Sequence, residues 1–334
     1  MFSRDQYRST FWLALLLVLS PVSADHPTVV FGSEASGPIN TLAATAMPAG
    51  KWALGLRNEI IDRDAFSDAR LAGLAAQGLE GVHTIDQING TSAALAYGAT
   101  DKITLSVRVP RVARDNIRES ELEGSAGEAH GHGDASGLGD LVFLGSYRAL
   151  HANGFDASVQ MGFKAPSGET HESDRGERLE TEFQPGTGSW DFLIGGALSR
   201  ARGRWGLHAN LLFHLTNEGS QDTEFGNALF YNAAVVYALS ENGHPHHGEH
   251  IGAHPHLRWD AMLEINGETR WKNEIGSTSE AHSGGTVVYL SPGLRVSYRQ
   301  VGAFVSIGYP IVDAPKGVQT DVDFRLIGGV SFVF

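Results

Sequence analysis

Residues 154–165 read GFDASVQMGFKA. Phe155, Ala157, Val159, Met161 and Phe163 fall on one face at period two, and Asp156, Ser158, Gln160 and Lys164 fall on the other. A strand turns successive side chains to opposite faces, so this stretch carries one apolar and one polar surface. The pattern recurs. In 203–216, Trp205, Leu207, Ala209, Leu211, Phe213 and Leu215 alternate with His208, Asn210 and His214. At the end of the chain Val322, Phe324, Leu326, Val330, Phe332 and Phe334 oppose Asp323, Arg325 and Ser331.

Twelve such segments occur along the chain: 50–61, 91–99, 102–111, 138–150, 154–165, 189–200, 203–216, 228–240, 256–268, 285–298, 301–312 and 320–334. Short links at Thr100-Asp101, Asn153-Gly154, Ala201-Arg202 and Arg299-Gln300 alternate with longer polar ones at 62–90, 112–137, 166–188, 217–227 and 269–284. Even strand number, alternating faces and alternating turn lengths are the signature of an outer-membrane barrel. The fold expected is therefore all-β, a transmembrane antiparallel β-barrel of about 12 strands with long extracellular loops. Trp52, Tyr97, Trp190, Trp205, Tyr237, Trp259, Trp271, Tyr298 and Tyr309 lie near segment ends, where interfacial girdles belong. A soluble β-sandwich also alternates, but it does not need this turn pattern. Asn89-Gly90-Thr91 reads as a turn opening the second strand, and Pro185–Trp190 as a turn entering the sixth.

The start of the chain supports export. Arg4 and Arg8 precede the apolar run Phe11–Leu19, Pro21 breaks it, and Val22-Ser23-Ala24 offers a cleavage site. Residues 1–24 thus read as a signal peptide, 25–49 as an N-terminal leader whose entry into the lumen is open, and 50–334 as the barrel. In the first long loop Ser67 caps a short helix over Asp68–Gln77, ended by Gly78 and packed on the barrel rim. The chain has no cysteine, 41 glycines and a net charge of −13. That excludes disulfides and thiolate ligands, and makes nucleic acid a poor partner.

Gly50–Ile61 (GKWALGLRNEII) with Phe66-Ser67-Asp68, Gly137–Leu141 (GLGDL), Lys164–Gly168 (KAPSG), Pro185–Phe192 (PGTGSWDF) and the terminal Phe334 together resemble one family. It is the outer-membrane "MetA-pathway of phenol degradation" family, and the resemblance covers nearly the whole mature chain. It implies a barrel passing small apolar or aromatic solutes, with outer-membrane lipids and the barrel assembly machinery (through Phe334) as partners. It supplies no catalytic residues.

From the alternation, Arg57, Arg108, Lys164, Asp191, His208, His214, Glu264, Arg295, Asp323 and Arg325 are expected to line the lumen, since charge on the lipid face is costly. Enclosed charges of both signs most often staple one another. No cofactor is required by this reading. The alternative is metal-linked transport: His244, His246, His247, His250, His254 and His256 crowd one tract, and His130 and His132 lie beside Glu128 and Asp134. Such imidazoles suit Zn, Cu or Ni. An outer-membrane lipid hydrolase is the remaining rival. It needs a nucleophilic Ser and a His within reach of lipid, and no such pair falls on the outward face.

Overall fold

A computed structural model of the chain describes residues 37–240 and 254–334. The signal segment 1–24, the first part of the leader, and His244, His246, His247 and His250 lie outside the described residues, as do the side chains of His254 and His256.

Twelve long antiparallel strands form the barrel. They are β1 Trp52–Arg63, β2 Gln87–Thr100, β3 Ile103–Glu123, β4 Leu141–Ala152, β5 Phe155–Ala165, β6 Asp191–Arg202, β7 Trp205–Leu215, β8 Ala228–Ala238, β9 His254–Arg270, β10 Gly285–Arg299, β11 Val301–Pro315 and β12 Val322–Val333. Each pairs with its sequence neighbour, and β1 pairs with β12 from Ala53↔Val333 to Arg63↔Val322, which closes the sheet. Closure leaves no unpaired edge for lipid to desolvate. At the two-residue turn Asn153-Gly154 both residues have positive φ (52° and 73°), as the favoured hairpin turn requires. The short turns mark the periplasmic end.

Three expectations need correction. The segment 112–137 is not a loop. β3 runs on to Glu123 and returns as the strand Ala126–Leu138, a hairpin standing out beyond the barrel. Asn89-Gly90 is not a turn either. β1 continues to Arg63, and its outer half aligns Ile60 with Asn89 and Glu59 with Gly90. The turn expected at Ala201-Arg202 falls two residues later, because Ala201 still pairs with Gly206. Helix α1, Asp68–Ala75, forms with Ser67 accepting from the Arg70 amide, and it buries Leu71. It rests on the hairpin, where Leu71, Phe66 and Val82 form a small core with Ala129 packed against it.

The outward apolar face is exposed because lipid covers it. Met161 is 63% exposed, Leu211 58% and Phe192 56%. Aromatics gather at both ends of this face. Trp52–Tyr97 and Trp205–Tyr237 are in contact at the periplasmic end, and Phe163–Trp190 and Phe213–Trp271 at the outer end. Arginine at Leu211 should therefore cost about 2–4 kcal/mol, the midplane penalty for a lipid-facing cation. Urea unfolding of the refolded L211R variant, followed by loss of heat-modifiable gel mobility, measures it; wild-type stability would put Leu211 off the lipid face.

Candidate functional site

The lumen is occupied by the chain's own leader. Residues 38–42 are buried, as are Ala44, Ala46 and Met47. They rise inside the barrel from the periplasmic end, where the Ala49 amide bonds Asp101 in the β2–β3 turn. Further up, the Met47 amide donates to Thr104 Oγ1, Ala44 to Ser199 Oγ and Leu42 to Asn210 Oδ1. The wall supplies side-chain acceptors at each of these points, and the segment adds no strand to the sheet. Its sequence reflects this. A stretch of Ala, Thr and Pro has no face to alternate; it is read by the polar inner face of the strands.

The tip is clamped by opposite charges. Glu264, fully buried on β9, accepts from the backbone amides of Ile39 (2.8 Å), Asn40 (3.1 Å) and Thr41 (2.8 Å), and from Thr41 Oγ1 at 2.7 Å. Arg57, buried on β1, donates to the Ile39 carbonyl at 3.0 Å and to Asn40 Oδ1 at 2.7 Å. Two residues expected to line the lumen thus grip one peptide turn. Charge-assisted bonds of this kind are the strong ones in a dry interior.

Next to the tip, Leu42 packs with Val142, Leu193, Leu212 and Phe230. Val142 also lines a cavity of about 110 Å³ bordered by Pro110, Val112 and Phe225, with Arg108 and Arg270 at its wall. The leader thus reaches the edge of this chamber through the cluster that Leu42 shares with Val142. The chamber's other side is a buried polar knot. Lys164 Nζ lies 2.7 Å from Asp191 and 3.3 Å from Asp140. Asp140 accepts from the Gly168 amide (2.9 Å) and from Thr187 N and Oγ1 (both 2.8 Å). Asp191 takes Ser189 Oγ (2.8 Å) and faces His214 Nε2 at 2.9 Å. Gly168 and Gly186 touch here: a Cβ on either would lie 2.7 Å from the other's backbone. The motifs GLGDL, KAPSG and PGTGS, remote in sequence, meet at this one place.

Of the other residues assigned to the lumen, Arg295 and Arg325 are buried and stack on aromatic rings, Arg295 over Phe304 and Arg325 over Tyr289, the latter at 4.0 Å. Arg325 also lies 3.8 Å from Glu59. His208 is buried with its Nδ1 2.9 Å from Ser199 Oγ, a Ser–His pair sealed beneath the leader and away from lipid. Asp323 does not line the lumen; it is exposed. The β1–β12 register slips between Asp62 and Arg63, so Phe324 and Val322 oppose consecutive residues and Asp323 bulges out. A one-residue bulge reverses parity beyond it, which also turns Val322 inward.

The hairpin and neighbouring loops form an outer canopy. His132 Nε2 lies 3.0 Å from Glu119 Oε1, and His130 Nδ1 3.0 Å from Glu121. His83, on the short strand His83–Thr84, faces Glu119, Glu180 and Glu182. Burial disfavours charge on His83, but bonds to Glu119 and Glu182 and the nearby Glu180 raise its pKa well above the usual imidazole value. Burial likewise pushes the Glu119 carboxyl up, and the His83 and His132 contacts outweigh it, holding it at about 2. Sequence reading missed His83, Glu119 and Glu180. They come from three segments, and no local spacing links them.

The family described as "Putative MetA-pathway of phenol degradation" matches residues 74–246. No curated protein sequence matches the chain. Among solved structures, the chain resembles the COG4313 outer membrane channel from Pseudomonas putida F1 at 15% identity and a TM-score of 0.56, covering 89% of this chain and 100% of that one. LpxR from Salmonella typhimurium aligns at 13% identity and a TM-score of 0.45, covering 84% and 100%. The CymD monoaromatic hydrocarbon channel aligns at 8% and 0.39, covering 86% and 88%. At these identities only the first bears on the argument, and it bears on fold.

Proposed function

The chain belongs to the outer-membrane family of the MetA pathway of phenol degradation, and from that premise we propose that it is a gated channel for small apolar or aromatic solutes. The observation that carries the reading is a chamber inside a lumen that the leader occupies, the two meeting where Leu42 clusters with Val142. The chamber's volume is on the scale of a single aromatic ring, since cavities of about 150 Å³ hold benzene. Its walls combine proline, valine and phenylalanine with the Arg108 and Arg270 guanidiniums, and a cation facing an aromatic guest adds attraction. A solute moving down the lumen from the outer mouth meets a leader fastened by side-chain bonds. Such a leader moves without tearing the sheet.

Uptake tests this reading. Cells poor in general porins and expressing the chain should accumulate a labelled monoaromatic solute faster than cells without it, while uptake of a sugar stays unchanged. Equal acceleration of both would make the barrel a general pore; acceleration of neither would remove the transport reading.

A further inference from the structure

His83 is faced by more carboxylates than its ring can serve. An imidazole has two nitrogens, and each offers one N–H or one lone pair. Nε2 lies 3.1 Å from Glu119 Oε2 and 3.3 Å from Glu180 Oε2, while Nδ1 lies 3.5 Å from Glu182 Oε2. One proton on Nε2 cannot satisfy two carboxylates. One cation can, and the spacing suits it: metal–ligand bonds of about 2.0–2.1 Å give a tetrahedral edge of about 3.4 Å. Glu182 then stands where a ligating histidine's partner belongs, taking the other ring N–H and fixing the tautomer. Its second oxygen is held by Asn273 Nδ2. His132 Nε2, 3.0 Å from Glu119 Oε1, orients the bridging carboxylate from the far side.

Charge points the same way. Glu119, Glu180, Glu182 and Glu280 surround His83 and His132, with Arg114 and Lys272 near Glu182 and Glu280 respectively. Carboxylates outnumber the full cations within reach. A cavity of about 230 Å³ lined by His83, Glu180, Glu182 and Glu280 adjoins the cluster, and the Glu180 side chain is 59% exposed, so an ion has an entrance.

We propose that the outer canopy binds a divalent transition-metal ion of the zinc class through His83 Nε2, Glu119 and Glu180, with Glu182 as the positioning residue. Mixed nitrogen and carboxylate donors suit Zn or Co over Mg or Ca. The ligands come from the 79–86 segment, the β3 hairpin and the 166–190 loop, so the ion ties three outer segments together above the chamber.

The test uses the full chain in detergent, titrated with Zn²⁺ by calorimetry and with Co²⁺ by visible absorption. Wild type should bind one ion with the intense d–d bands of a four-coordinate site. H83Q and E180Q should lose those bands, and E182Q should bind about 10–100-fold more weakly. Glu180 is exposed, so E180Q tests the site even if H83Q fails to fold. Deletion of 244–253 should leave the bands intact. The proposal is overturned if wild type shows no such bands, if H83Q and E180Q keep them, or if deleting 244–253 abolishes them.

Discussion

Deleting residues 37–49 should convert a nearly closed barrel into an open one, raising single-channel conductance roughly tenfold, as expected when a lumen wider than a filled eight-stranded barrel loses its contents. Planar-bilayer recording of the refolded variant measures this. Because the leader buries Ile39, Leu42 and Met47, its loss could also weaken folding, so a finer variant is needed. Glu264→Ala keeps the leader and removes the acceptor of the Ile39, Asn40 and Thr41 bonds. Bonds to a charged group contribute about 1.5–3 kcal/mol each and do not add fully. A net loss near 3 kcal/mol corresponds to on the order of a hundredfold shift toward the released leader. E264A should then show frequent openings on an otherwise normal barrel. Wild-type conductance in both variants would mean the leader does not limit passage.

The barrel was legible because lipid enforces period two: Met161, Leu211 and Phe332 must face out whatever the loops do. Legibility stopped where that constraint stops. The outer half of β3 and its return strand stand beyond the lipid, so the apolar residues they bury under the outer loops, Val112, Ile117 and Ala135, are too sparse to alternate, and a hairpin there reads as a loop. Asn89-Gly90 carries a strong turn signal, but its pairing with Ile60 and Glu59 overrides local propensity. The bulge at Asp323 has no signature in composition. Within the lumen, alternation placed Arg57 and Glu264 inward but not what they hold. Their partner is a turn of backbone, and backbone amides have no sequence. Period two also placed Lys164 and Asp191 inward. It gave no reason for Asp140, which reaches the same knot from the GLGDL turn.

That knot gives the second large effect. Lys164→Met should destabilise the barrel by about 3–5 kcal/mol, the cost of leaving buried charge without its partner. Lys164 lies between Asp140 and Asp191, and all three are buried. Methionine fills similar volume, so packing is preserved and the loss is electrostatic. Asp140 keeps its bonds from Gly168 and Thr187, and Asp191 keeps Ser189 and His214, so the barrel still folds and its stability can be measured. The diagnostic variant is Lys164→Met with Asp191→Asn. Removing one carboxylate relieves the charge that the first change exposed, so the pair should cost less than the sum of the single changes, with coupling in the range of about 0.5–3 kcal/mol. Urea unfolding followed by heat-modifiable gel mobility reads each variant. Strict additivity would mean that Lys164 only fills space. Coupling would mean that GLGDL, KAPSG and PGTGS are held together by one shared ion pair, and that the chamber's outer wall depends on it.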